Sequence, residues 1–475
     1  MPSAPDAPHR FRNPLIHHDV PDPDVTALGA GGYALVASSF DRAPGLPLWW
    51  SEDLMTWHAA GHAGGCRPDA PADGGVWAPS IREHGGRLFI VWGDPDVGIL
   101  VVDAPGLGGP WSAPRVLLAG RGLIDACPIW DDELGKAFVV HGYARSRAGF
   151  ANRIDVFEAD AALTAAHTPS RTVIDGDAIP GCAVLEGPKV YRRGEALWIF
   201  APAGGVATGW QYAFRAPRWE GPWEHRVVLQ QGGTDVNGPH QGAWVVGAED
   251  EEWFAHFQAT GALGRILHLQ PLHWDVDGWP VIGDPDRPGE PVASWTTPRG
   301  GSTRPPAERR GDDFAGEHLD AGWHTRGATR AELVVSVGGG RVRLAGTRSG
   351  AVLRPLDGAH AHSQVLVRGA QDAAAALVVH DGIVRELVAH VADADRGVEI
   401  RTVEADGVRV RTVGAASAGV RLGIRVEGDR ATFTVDGEDV GDTFTLTGRR
   451  WTGAEWGLAA RGRGHAEFGP VEVSP

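Results

Sequence analysis

The sequence predicts an all-β protein, a five-bladed β-propeller followed by a β-sandwich, and three observations carry that prediction. Short segments rich in β-branched and aromatic residues recur between Gly, Pro and Asp, as in 32–40, 87–92 and 196–200, with no long stretch of helical period to compete with them. Polar residues beside turn formers recur at near-regular steps. Asp22, Trp77, Asp125, Glu186 and His240 are 55, 48, 61 and 54 residues apart, a period that suits four-stranded blades and gives five of them in about 285 residues. A proline-rich stretch then separates this array from a region of cleaner alternation.

The elements follow in chain order. Residues 1–284 are assigned to the propeller, each marked residue opening an innermost strand that faces the central axis. Residues 285–310, dense in proline and poor in apolar periodicity, read as a linker. Residues 311–475 read as the sandwich: 408–413 and 431–435 alternate as half-buried antiparallel strands, with Asp-Gly turns at 406–407 and 436–437.

Composition bounds the function. A chain of 475 residues has room for two to four domains. The 67 glycines and 34 prolines punctuate many short elements and lack the period of collagen. The formal charge is −16, and of 44 basic residues only Lys136 and Lys189 are lysines. Without a clustered basic stripe the chain lacks the footprint of a nucleic-acid binder. Cys66, Cys127 and Cys182 lie far apart, which indicates neither a disulfide framework nor a structural zinc site. The first ten residues show no basic-then-apolar leader, and the longest aliphatic run, 373–379, is too short for a bilayer, so a cytoplasmic protein without membrane association is expected.

The signatures of serine hydrolases, P-loops, zincins and dinucleotide folds are absent. Carboxylates among aromatics remain. Glycoside hydrolysis needs two carboxyl groups flanking the scissile bond, one protonated and one ionised, with apolar faces for the sugar. Asp22, Asp125 and Glu186 lie at or near turn formers, where a side chain can be presented to a cavity, and 19 tryptophans supply stacking faces.

The segments 13–24 (NPLIHHDVPDPD), 75–79 (GVWAP), 123–125 (LID), 186–188 (EGP) and 263–271 (LGRILHLQP), followed by 277–282 (DGWPVI), resemble glycoside hydrolase family 43 in the same order. The resemblance covers about residues 11–283. The region opening at Asp312 looks like the sandwich of the β-xylosidase and α-L-arabinofuranosidase branch. The resemblance implies a five-bladed propeller in which Asp22 is the general base, Asp125 the carboxylate that raises and orients the acid, and Glu186 the general acid. Asp19 and Asp24 compete for the base role, and the nine-residue step from Asn13 favours Asp22. His240 matches an axial histidine that in several members helps hold calcium or water in the channel, so a structural calcium is allowed although the chemistry needs no cofactor. Arg265 matches an arginine that contacts the sugar. Phe40, Trp77 and Trp210 are chosen as stacking walls. The family commonly has Pro after the middle Asp, where this chain has Ala126.

The activity implied is an exo-acting, inverting hydrolase of oligosaccharides that releases a terminal pentose, α-L-arabinofuranose first and β-D-xylose next. The alternatives are a hydrolase of another furanoside, such as a β-D-galactofuranoside, and a non-catalytic glycan-binding propeller. The span from Arg326 to Arg450 has no Trp or Tyr and only Phe433 and Phe444. The sandwich is therefore expected to be structural and pocket-shaping, not a polysaccharide anchor.

Overall fold

A computed structural model describes residues 10–66, 75–247, 249–298 and 311–474. Five four-stranded antiparallel sheets follow one another along the chain, each strand pairing with the next in sequence. The first blade runs from Asp24–Ala27 to His58–His62, the second from Trp77–His84 to Arg115–Ala119, and the third from Leu123–Asp131 to Arg171–Asp175. The fourth runs from Lys189–Arg193 to Glu224–Leu229 and the fifth from His240–Val246 to Pro280–Ile282. Local chemistry sets these hairpins. In the second blade His84 pairs with Arg87 across Gly85-Gly86, both at positive φ, as a two-residue turn matched to strand twist requires.

The packing shows why five blades close. Val36 and Leu48 of the first blade share a buried cluster with Ile81 and Ile90 of the second. Val91 and Val101 continue into Val139 of the third, Val140 and Val156 into Ile199 of the fourth, and Phe200 into Phe254 of the fifth. Ala243 and Leu267 of the fifth then pack on Val25 and Leu35 of the first. Each sheet buries both faces against its neighbours, which is the only way a blade with two apolar faces is shielded from water.

The N-terminal segment seals the ring. Asn13 accepts from Leu269 N at 2.9 Å and donates to the Leu269 and Val292 carbonyls, and Ile16 bridges Leu267. Strand Arg10–Arg12 pairs with Ser294–Thr296. This corrects the expected linker of 285–310: its first part folds onto the propeller, because Phe11 has a buried apolar site to fill there, while 299–310 lie outside the described residues.

The C-terminal domain is built on two long strands, His360–His380 and Glu455–Ser474, which pair along most of their length. Each serves two layers. The first half of 360–380 pairs with Arg421–Glu427 and its second half with Val384–Ala389, while 455–474 pairs first with Ala351–Pro355 and then with Val342–Thr347. Between the layers lies a core that includes Trp323, Leu377, Phe433, Trp456 and Phe468. Helices of the described residues are single turns, and none is long and apolar enough to cross a membrane.

Candidate active site

A recurring backbone device presents the polar residues. Near the start of each blade one residue takes a positive φ: Asp22 at 52°, Ala78 at 34°, Asp125 at 61°, Gly187 at 58° and Gln241 at 50°. In the second, third and fifth blades the strand register slips there, between Trp77 and Ser80, Ile124 and Cys127, and His240 and Ala243. Such bulges re-aim side chains that regular alternation would send into the sheet. Asp tolerates this conformation better than most residues, and two of the expected catalytic carboxylates occupy it. Glu186 and His240 stand one residue before it.

Asp22 is 4% exposed. Ser38 Oγ donates to its Oδ2 at 2.6 Å and Arg265 Nη1 pairs with its Oδ1. Both oxygens thus accept, the pattern of an ionised carboxylate. Asp125, 5% exposed, accepts the Gly187 N–H at 2.7 Å, which ties it to the residue after Glu186. Both acids lie over Gly142, where an added Cβ would stand 3.5 Å from Glu186 Cα and 3.8 Å from Asp125 Oδ2. Burial, then the charges of Asp125 and Asp22, push Glu186 up to about 8. Burial and Asp22 lift Asp125 to about 7 against the Gly187 N–H, Lys189 and Arg265, which pull it down. Both acids are thus held toward their protonated forms.

The competing aspartates have other work. Asp19 accepts the Arg265 N–H at 2.8 Å and pairs with Arg42 at 2.7 Å. Asp24 is fully buried, accepts Ile81 N at 2.7 Å and pairs with Arg82 at 2.6 Å. Arg265 also lies over the Phe257 ring at 4.9 Å. His240 is buried, with Nδ1 2.5 Å from the Gly238 carbonyl, and burial with the nearby Arg265 cation depresses it to about 4. Calcium takes six to eight oxygen ligands. His240 instead faces an arginine and the Phe257 ring, and among the described residues no group of three or more His, Cys, Asp and Glu could hold a metal.

Phe40 and Trp77 meet at 6.0 Å, and a residue that sequence reasoning missed completes their cluster. Trp451, from the sandwich, stacks on Phe40 at 5.5 Å and meets Trp77 edge-on at 4.9 Å. Its loop is anchored to the propeller: Ala454 N donates to the Ala262 carbonyl at 2.7 Å, and Arg449 pairs with Asp41 at 3.1 Å. Gly264 makes the approach possible, since a Cβ there would lie 2.0 Å from Asp19 Oδ1 and 2.4 Å from Gly453 N. Trp210 sits elsewhere, packed on Gly204 and edge-on to Tyr212 in the fourth blade.

A sequence profile for glycosyl hydrolases family 43 matches residues 11–280. A protein of Xylanibacter ruminicola named as a candidate β-xylosidase is 38% identical over 61% of this chain and 54% of its own length. A β-xylosidase of Formosa agariphila is 26% identical over 66% of this chain and 58% of its own, and a non-reducing end α-L-arabinofuranosidase of Bacteroides ovatus 29% over 58% and 53%. The chain spans a little over half the length of these curated relatives. The fold of a xylan β-1,4-xylosidase from Bacillus halodurans superposes with a TM-score of 0.83 at 21% identity, covering 98% of this chain and 100% of that one. The chain belongs to glycosyl hydrolase family 43.

Proposed function

We propose that this protein is an exo-acting, inverting glycosidase that releases a terminal pentose from the non-reducing end of oligosaccharides. The observation that carries the reading is the convergence of three carboxyl groups, two buried and one half-buried, with unequal environments. Asp22 is met by donors at both oxygens, whereas Glu186 is half-buried and faces two other acids. In this reading Glu186 gives its proton to the glycosidic oxygen as the bond to the anomeric carbon breaks. Asp22 takes a proton from the water that attacks the same carbon from the opposite face. Asp125 supplies the negative charge that keeps Glu186 protonated until then.

The order of sugars is revised from the sequence-based one. The relative sharing 38% identity and the one sharing 26% both carry β-xylosidase names, so β-D-xylose is placed ahead of α-L-arabinofuranose. The panel that decides is a set of 4-nitrophenyl glycosides: β-D-xylopyranoside, α-L-arabinofuranoside and β-D-galactofuranoside. The expected result is fastest release from the xyloside, with proton NMR showing the inverted anomer first. Net retention refutes the mechanism, and no turnover of any of the three favours a glycan-binding role.

A further inference from the structure

Beneath the three carboxyls lies a second buried cluster that the proposed mechanism does not use. In a chain whose basic residues are almost all arginine, Lys189 is one of two lysines, and it is 1% exposed. It lies three residues after Glu186, at the start of the fourth blade. Its Nζ donates to the Pro79 carbonyl at 2.7 Å and to Ser80 Oγ at 2.8 Å, and Asp24 Oδ2 stands 4.0 Å away. A compact ammonium with three donors suits this array, whereas a planar guanidinium is too large and too rigid for it.

Ser80 passes the contact on. Its hydroxyl accepts from Lys189 and donates its own hydrogen to the Ala126 carbonyl at 2.7 Å. Ala126 follows Asp125 and occupies the place where a proline would stiffen the chain. The relay joins the inner strands of the fourth, second and third blades and ends on the carbonyl of the residue after Asp125, which itself stands at positive φ.

We propose that Lys189 and Ser80 form a clamp that positions Asp125 and directs the proton shared by the two carboxyls onto Glu186. The charges around Lys189 give this its sign. Asp24 is paired with Arg82, which also donates to Cys127 Sγ at 3.2 Å, so those two charges offset each other. Two cations, Arg82 and Lys189, thus share one anion, and the remaining positive charge acts on Asp125, which also meets the Gly187 N–H and the charges of Asp22 and Arg265. Lys189 and Gly187 both favour the ionised form of Asp125, while Glu186 has the acids Asp125 and Asp22 for neighbours, opposed only by Arg265. These unequal surroundings favour placing the proton of the pair on Glu186 over Asp125.

The inference rests on the acid and modulator roles proposed above, and Glu186→Gln separates the two. If that variant hydrolyses poor substrates normally, the functional reading fails; if it does not, the clamp is tested on its own. Removing a cation makes each carboxyl harder to ionise. In Lys189→Met, both limbs of the pH profile of kcat/KM should therefore move to higher pH by about one unit, and the maximum should fall about tenfold or more. Ser80→Ala, which changes no charge, should lower kcat with KM and both limbs in place. Should Lys189→Met fail to fold, Asp24→Asn removes the compensating anion and should move both limbs to lower pH. Limbs that stay put in the charge variants overturn the proton-directing role, and parental kinetics in Ser80→Ala overturn the clamp.

Discussion

Two clusters of carboxyl groups, one among the inner strands of the propeller and one where the two domains meet, have opposite electrostatic characters. At the propeller axis Asp125 and Glu186 are pushed up to about 7 and about 8, because burial and neighbouring acids outweigh the cations within reach. At the junction of the domains Glu455 is completely buried, yet its carboxyl is held well below the usual range. There Arg326 Nε donates to it at 2.6 Å, Arg42 pairs with it, and His324 Nε2 lies 2.9 Å away. Burial penalises both groups alike, so the number of cations decides whether a buried acid keeps its proton or loses it. In the proposed reading the first cluster serves proton transfer, while the second joins residues of both domains.

Substitutions should separate the two regions. The largest effect on activity is expected at Asp22: Asp22→Asn should lower kcat by about 10²- to 10⁴-fold for activated and unactivated substrates alike, measured across aryl glycosides. Loss confined to substrates with poor leaving groups would argue against Asp22 as the base.

Stability should respond in the opposite order. Glu455→Ala leaves Arg42 and Arg326 buried without a shared partner and should cost about 3–5 kcal/mol in denaturant unfolding. Glu186→Gln should cost nothing, and its advantage over the parent should grow with pH. The sign follows from proton counts: between the unfolded carboxyl value and about 8 the folded state binds more protons than the unfolded one, so this group lowers stability as pH rises. Glu455, with its depressed value, stabilises above the unfolded carboxyl range and loses that contribution as pH falls through its folded value. Equal pH slopes for the parent and Glu186→Gln would contradict the comparison.

The smallest effect is expected at the aromatic wall. Trp451→Ala removes the indole that stacks on Phe40 and meets Trp77 edge-on and should change KM by about two- to tenfold, the equivalent of about 0.5–1.5 kcal/mol. No change in KM on small glycosides would place Trp451 in the domain junction alone.

Legibility in the sequence follows the range of the forces involved. Blade spacing was readable because each blade repeats a residue at positive φ near its start, so Asp22, Trp77, Asp125, Glu186 and His240 stand within one residue of equivalent positions. Contacts that join distant segments left no local trace. Trp451 lies one residue beyond a stretch free of Trp and Tyr, and reading that stretch alone hides the aromatic that the sandwich sends to Phe40 and Trp77. Ser38, Ser80 and Glu455 are ordinary residue types in ordinary surroundings, and their roles arise only when blades and domains close on one another. The strand 294–296 was hidden for a similar reason, since its proline-rich flanks mask the pairing with 10–12.

The central claim is that Glu186 is the acid because its surroundings keep it protonated. The most direct measurement is kcat/KM for the parent and Glu186→Gln across a series of aryl and alkyl glycosides of falling leaving-group ability. The account predicts a loss that is slight for activated aryl glycosides and grows steadily as the leaving group worsens, since a poor leaving group needs the proton most. A loss of equal size across the whole series would contradict it.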